Sequence, residues 1–126
     1  MLGAVMNRVN IIREMLLWVE SNLEHPLSLD SVTARVGYSK WHLQRLFRKH
    51  TGQRLGSYLR ARRISAAAEE MCLTDHPIIY IARKYQFADQ QTFSRTFKNH
   101  FGLPPGEYRN ANSCSKKRLC PPLKLL

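Results

Sequence analysis

Apolar residues recur three and four positions apart along most of this chain, and short polar breaks divide the pattern into helical segments. Ile12, Met15, Leu16, Val19 and Leu23 give residues 8–23 the stripe of an amphipathic helix, with Trp18 to one side of it. His25-Pro26 breaks that run, because proline lacks the helical N–H donor. Leu29, Val32 and Val36 mark a second, shorter helix. Ser28 is its expected N-cap, Asp30 suits its positive end, and Gly37 ends it in the left-handed conformation. Ser39 opens a third helix over 40–50, with Leu43, Leu46 and Phe47 facing inward, and Gly52 closes it. Two helices joined by a short glycine-containing turn form the helix-turn-helix pattern.

The pattern then repeats. Residues 55–73 form a longer helix, rich in the small helix formers Ala61 and Ala66-Ala67-Ala68, before Asp75-His76-Pro77 breaks it. Ile78, Ile81, Ala82 and Tyr85 give a second short inward stripe. Gln86-Phe87-Ala88 makes a turn, Asp89 caps, and residues 90–101 form the matching last helix before Leu103-Pro104-Pro105-Gly106 stops it. Arg45 matches Arg95, Phe47 matches Phe97, His50 matches His100, Gly52 matches Gly102 and Tyr58 matches Tyr108. Upstream the register slips by one, so that Val32 answers Ile81, Gly37 answers Gln86 and Tyr38 answers Phe87. Two copies are too few for a solenoid.

An all-α fold of two helix-turn-helix subdomains joined by a long linker helix follows. The expected divisions are an N-terminal extension over 1–7, a first subdomain over 8–52, the linker over 53–73 and a second subdomain over 74–110. Beyond Arg109 the chain turns to Ser, Lys, Pro and Cys without period, and residues 111–126 are expected as a basic, disordered tail.

Charge follows the same repeat. The net charge is +11. Residues 1–30 and 64–89 are each slightly acidic, whereas residues 31–63 hold nine Lys or Arg and no acid. Residues 90–126 hold seven Lys or Arg against Glu107 alone. Each basic block falls on the second half of a repeat. Solubility charge would not keep a structural period, and a polyanion partner, nucleic acid foremost, explains it.

Other chemistries find little support. Cys72, Cys114 and Cys120 do not make a disulfide framework, and Cys114 and Cys120 lack zinc-site spacing. Cys72 is expected as a small buried hydrophobe. His50 and His100 are repeat-related helix-end residues rather than ligands or bases, and no phosphate-binding Gly-rich loop appears. Neither a metal, a cofactor nor enzymatic activity is expected. No apolar run reaches the roughly 18–20 residues of a membrane span, and the stretch from Met1 to Met6 is too short for a signal peptide. A cytoplasmic protein without membrane contact is expected.

The outer faces of the two terminal helices carry the candidate site. Trp41, Gln44, Arg45 and Arg48 lie opposite Leu43, Leu46 and Phe47. A helix in the major groove needs side chains that match base edges. Arg grips guanine, Gln grips adenine, and an apolar group covers a thymine methyl. In the second copy Gln91, Ser94, Arg95 and Lys98 face outward, with Gln90 and Thr92 near the helix start. Lys40, Lys49, Arg54, Arg60, Arg62, Arg63 and Lys98, together with Arg48, are expected phosphate contacts that position without reading sequence. Two unlike heads in one chain predict an asymmetric site on double-stranded DNA, bound by a monomer. A two-fold dimer would demand a palindrome. A nonspecific nucleic-acid-binding protein, and an antagonist or repressor that occupies sites without activating, remain alternatives.

Three motifs resemble a known family: Gly37-Tyr38-Ser39-Lys40-Trp41-His42-Leu43-Gln44-Arg45-Leu46-Phe47, Gln90-Gln91-Thr92-Phe93-Ser94-Arg95-Thr96-Phe97-Lys98 and Pro104-Pro105-Gly106-Glu107-Tyr108-Arg109. Over about residues 8–109 the chain resembles the AraC/XylS family of bacterial transcription activators, in its short single-domain MarA/SoxS/Rob-like branch. The resemblance implies seven helices and activation of stress, efflux and antibiotic-resistance promoters. It also implies monomeric binding to asymmetric sites and contact with RNA polymerase. Base-contacting positions of the family match Trp41, Gln44 and Arg45 in the first head and Gln90, Gln91, Thr92 and Arg95 in the second. The family's contacts to the C-terminal domain of the polymerase alpha subunit match Trp18 and Arg35, while Ser21 stands where close relatives carry an acid. Most of the wider family adds a sensing domain. A chain of 126 residues has no room for one, so no small-molecule effector domain is expected.

Overall fold

The computed structural model describes residues 8–110, and the extension over 1–7 and the tail over 111–126 lie outside them. Seven helices follow in order: α1 (Arg8–Ser21), α2 (Asp30–Val36), α3 (Lys40–Thr51), α4 (Leu55–Leu73), α5 (Ile78–Lys84), α6 (Gln90–Phe101) and α7 (Pro105–Asn110). Among the described residues there is no strand, so the fold is all-α. Two compact units divide these residues, one of 8–22 with 26–59 and the other of 23–25 with 60–110. The division falls within α4, whose residues 55–59 belong to the first unit and 60–73 to the second.

In the first unit α1 packs on α2 and α3, and α2 packs on α3. Ile12, Met15 and Val19 of α1 are fully buried, as are Leu43 and Phe47 of α3, and Val32 and Val36 of α2 are nearly so. The Phe47 ring lies 5.6 Å from that of Tyr58 at the start of α4. Gly37 has φ +77°, and its N–H donates to the Thr33 carbonyl, so α2 ends in the left-handed cap that glycine adopts without steric cost.

The second unit is built on aromatics. Phe93, Phe97 and Phe101 of α6 are buried with Ile81 and Ala82 of α5, Tyr108 of α7 and Ala67, Ala68 and Met71 of α4. Phe97 lies 4.6 Å from Phe101 and 5.1 Å from Tyr108 between ring centres. Arg109 Nε donates to the Met71 carbonyl at 3.0 Å, and its Nη2 donates to the Thr74 carbonyl at 3.4 Å. These bonds satisfy carbonyls at the C-terminal end of α4 that have no partner within the helix.

Several local expectations are corrected. The first helix stops at Ser21, where Asn22 Nδ2 donates to the Trp18 carbonyl at 2.8 Å. Leu23 therefore leaves the α1 stripe and packs against the second core. Leu29, not Ser28, is the N-cap of α2, without a side-chain bond; the Ser28 hydroxyl instead accepts from the Asp30 N–H at 3.2 Å. The helix before Leu103-Pro104-Pro105-Gly106 ends at Phe101 as expected, but Pro105 then begins α7, a first-turn position where its missing N–H costs nothing. Cys72, expected as a small buried hydrophobe, is only half-buried against the second core and is disulfide-bonded rather than a free thiol.

Candidate nucleic-acid interface

Helix α3 is a two-faced element held in register by its ends. The Ser39 hydroxyl accepts from the His42 N–H at 3.1 Å, and Gly52 caps the far end at φ +77°. Leu43 and Phe47 have no exposed surface, whereas Trp41 is 66% exposed, so the indole stands on the outward face. Gln44, Arg45 and Arg48 share that face and are exposed. The Arg45 guanidinium carbon lies 5.1 Å from the centre of the Trp41 ring, one helical turn away. Beside them Tyr38 and His42 stack at 4.4 Å, nearly parallel.

Helix α6 repeats the construction. The Asp89 carboxylate accepts from the Thr92 N–H at 2.7 Å, and that bond holds its carboxyl below the usual carboxylate range. Phe93 and Phe97 are fully buried. Gln90, Gln91, Arg95 and Lys98 are exposed, and Thr92 and Ser94 are half-buried at the edge of the same face. Gln91 occupies the place of Trp41, so the second face keeps its arginine and lacks the aromatic.

The expected phosphate contacts separate into two groups. Arg48, Lys49, Arg54, Arg60 and Lys98 are exposed. Arg62 and Arg63 are half-buried. Arg63 Nη2 donates to the His25 carbonyl at 2.7 Å, and burial lowers the pKa of its guanidinium. Lys40 is exposed, but its ammonium lies 2.9 Å from an Asp30 carboxylate oxygen. Trp18 and Arg35 meet in the first unit at a cleft of about 410 Å³, with Leu17 and Glu14 on its wall. Leu17 is 61% exposed, and Arg35 is ion-paired with Glu14. Leu17 lies off the apolar stripe of α1, and the Glu14 and Asp30 pairings leave no signal in the sequence, because no helical period links residues on different helices.

Each unit thus presents a helix with a buried apolar face and an outward face of amides and guanidinium groups. These can donate and accept hydrogen bonds at base edges and phosphates. Among the described residues there is no cluster of His, Cys, Asp and Glu that could hold a metal ion, and no helix long and apolar enough to cross a membrane.

Comparison with known proteins gives this architecture its class. The helix-turn-helix domain family matches residues 32–111 of this chain. It is 49% identical over 112 residues to the multiple antibiotic resistance protein MarA of Escherichia coli K12, covering 89% of this chain and 88% of that one. It is also 49% identical over 120 residues to the transcriptional regulator Rob of Salmonella typhimurium, covering 95% of this chain but 42% of that protein. The chain therefore spans less than half the length of Rob. A solved AraC-type DNA-binding domain protein from Chromobacterium violaceum is 32% identical with a TM-score of 0.71, over 79% of this chain and 89% of that one. The chain belongs to the AraC/XylS family of helix-turn-helix regulators.

Proposed function

We propose that the chain activates stress, efflux and antibiotic-resistance promoters by binding an asymmetric DNA site as a monomer. The exposed faces of α3 and α6 enter successive major grooves. Trp41, Gln44 and Arg45 read bases in the first, and Gln90, Gln91, Thr92 and Arg95 read them in the second. Arg48, Lys49, Arg54, Arg60, Arg62, Arg63 and Lys98 grip phosphates, as does Lys40 once it leaves Asp30. The cleft at Trp18 and Arg35 receives the C-terminal domain of the polymerase alpha subunit. The domain division proposed from the repeat, with residues 8–52 and 74–110 as the two heads and 53–73 as linker, serves this reading, as does a cytoplasmic location.

The observation that carries the proposal is the exposed Trp41-Gln44-Arg45 stripe on a helix whose opposite face is fully buried. Resemblance to MarA, a multiple antibiotic resistance protein by name, supports the choice of promoters. Transcription in vitro with purified RNA polymerase tests the reading. The template carries a high-affinity site stepped upstream of a core promoter. Increased transcript at particular spacings, lost in Trp18→Ala but with DNA binding unchanged, is the expected result. Binding with reduced transcript at every spacing would make the protein a repressor.

A further inference from the structure

We propose that Asp30 is an intramolecular competitor for Lys40, standing where a DNA phosphate would otherwise stand and weakening the grip of the first unit on duplexes of any sequence. The inference rests on the reading of α3 as a DNA-facing helix. Asp30 opens α2 and Lys40 opens α3, and the Lys40 ammonium lies 2.9 Å from the Asp30 carboxylate. Both side chains are mostly exposed, at 59% and 72%. Such a pair adds little to stability and opens easily. The Lys40 ammonium and the Ser28 hydroxyl hold the Asp30 carboxyl below its usual range, so the competing charge is present throughout the neutral range.

Position separates this pair from ordinary surface charge. Asp30 is the last acid before residues 31–63, a stretch of nine cations and no acid. Lys40 immediately precedes Trp41 on the helix assigned to base reading. A phosphate oxygen offers its ammonium the same partner chemistry as a carboxylate oxygen. In the repeat register Ile79 stands for Asp30 and Gln90 for Lys40, so the second head lacks both charges. The competitor exists only where there is a lysine for it to hold.

The test is a four-protein cycle: wild type, Asp30→Asn, Lys40→Ala and the double variant. Each is titrated by anisotropy on a random-sequence 30-base-pair duplex at several salt concentrations, after thermal unfolding shows that it folds. Asp30→Asn should bind about two- to fivefold tighter, the range of an exposed ion pair, and that gain should vanish in the Lys40→Ala background. An equal gain with and without Lys40 would overturn the proposal by reducing Asp30 to a general negative charge. No gain from Asp30→Asn, with normal wild-type binding, would overturn the proposal alone. Failure of the wild type to bind duplex in a salt-sensitive way would overturn the DNA reading and the proposal together.

Discussion

The guanidinium carbon of Arg45 stands 5.1 Å from the centre of the Trp41 ring, one turn apart on the exposed face of α3. The indole offers its π-face to the cation and restricts an otherwise flexible side chain. A base-reading arginine held this way loses less freedom on binding. Arg45→Ala should cost about 1–3 kcal/mol of binding to a preferred duplex and relax preference at particular positions. Trp41→Ala should loosen Arg45 as well as remove its own contact. The double variant should then fall short of the sum by about 0.5–1 kcal/mol, measured as a double-mutant cycle by anisotropy. Strict additivity would show that the stacking does not position the arginine.

Phe47 and Phe97 occupy matching places in the two units, and both are fully buried. Phe47→Ala or Phe97→Ala should destabilise the fold by about 3–5 kcal/mol in urea unfolding followed by circular dichroism. Arg45→Ala should change stability by no more than about 0.5 kcal/mol. Equal losses from Phe47→Ala and Arg45→Ala would overturn the assignment of faces on α3.

Arg48 is exposed one turn beyond Gln44, where a phosphate contact needs charge but no base match. Arg48→Ala should weaken preferred and random duplexes by the same factor. It should also reduce the slope of log K against log salt by about 0.9, the value for one phosphate. A loss confined to one sequence would move Arg48 into the base-reading set.

Glu70 ties α4 to α5 in the second unit. Its carboxylate accepts from Lys84 Nζ at 2.7 Å, Tyr85 OH at 3.0 Å and His76 Nδ1 at 2.9 Å. Burial opposes its ionisation, but the three hydrogen bonds outweigh it and hold the carboxyl below its ordinary range. A depressed carboxylate stabilises the fold above its unfolded pKa, about 4.3, and that stabilisation is lost as pH falls through the lower folded value. Glu70→Gln should therefore cost about 1–2 kcal/mol at pH 7, with the deficit shrinking below about pH 4 in urea unfolding. A deficit constant from pH 7 to pH 3 would show that the network acts through packing alone. The same network raises the pKa of the Tyr85 phenol, through burial first and then the Glu70 carboxylate.

Most of the scaffold was legible because period and punctuation agreed. Ser39, Asp89, Gly37 and Gly52 cap as their chemistry predicts, and the inward stripes of α3 and α6 are buried as their spacing predicts. The repeat register was informative as well. Gln86, the counterpart of Gly37, adopts φ +69°, a conformation that costs a non-glycine residue roughly 1–2 kcal/mol. Its side chain donates to the Glu24 carbonyl at 3.0 Å, a partner that glycine would lack. What escaped was tertiary. The short helix α7 begins at Pro105, inside a segment that read only as a stop, and the Asp30–Lys40 and Glu14–Arg35 pairs join residues with no common period. The candidate faces were visible in the sequence, while the partners that compete for their charges were not.

Selection of bound duplexes from a random pool, with purified protein at physiological salt, decides whether the faces of α3 and α6 read sequence. The expected result is an asymmetric motif of two blocks about one helical turn apart, with the first block degraded in Arg45→Ala and the second in Arg95→Ala. A pool without any enriched sequence would contradict it, reducing the two exposed faces to nonspecific charge.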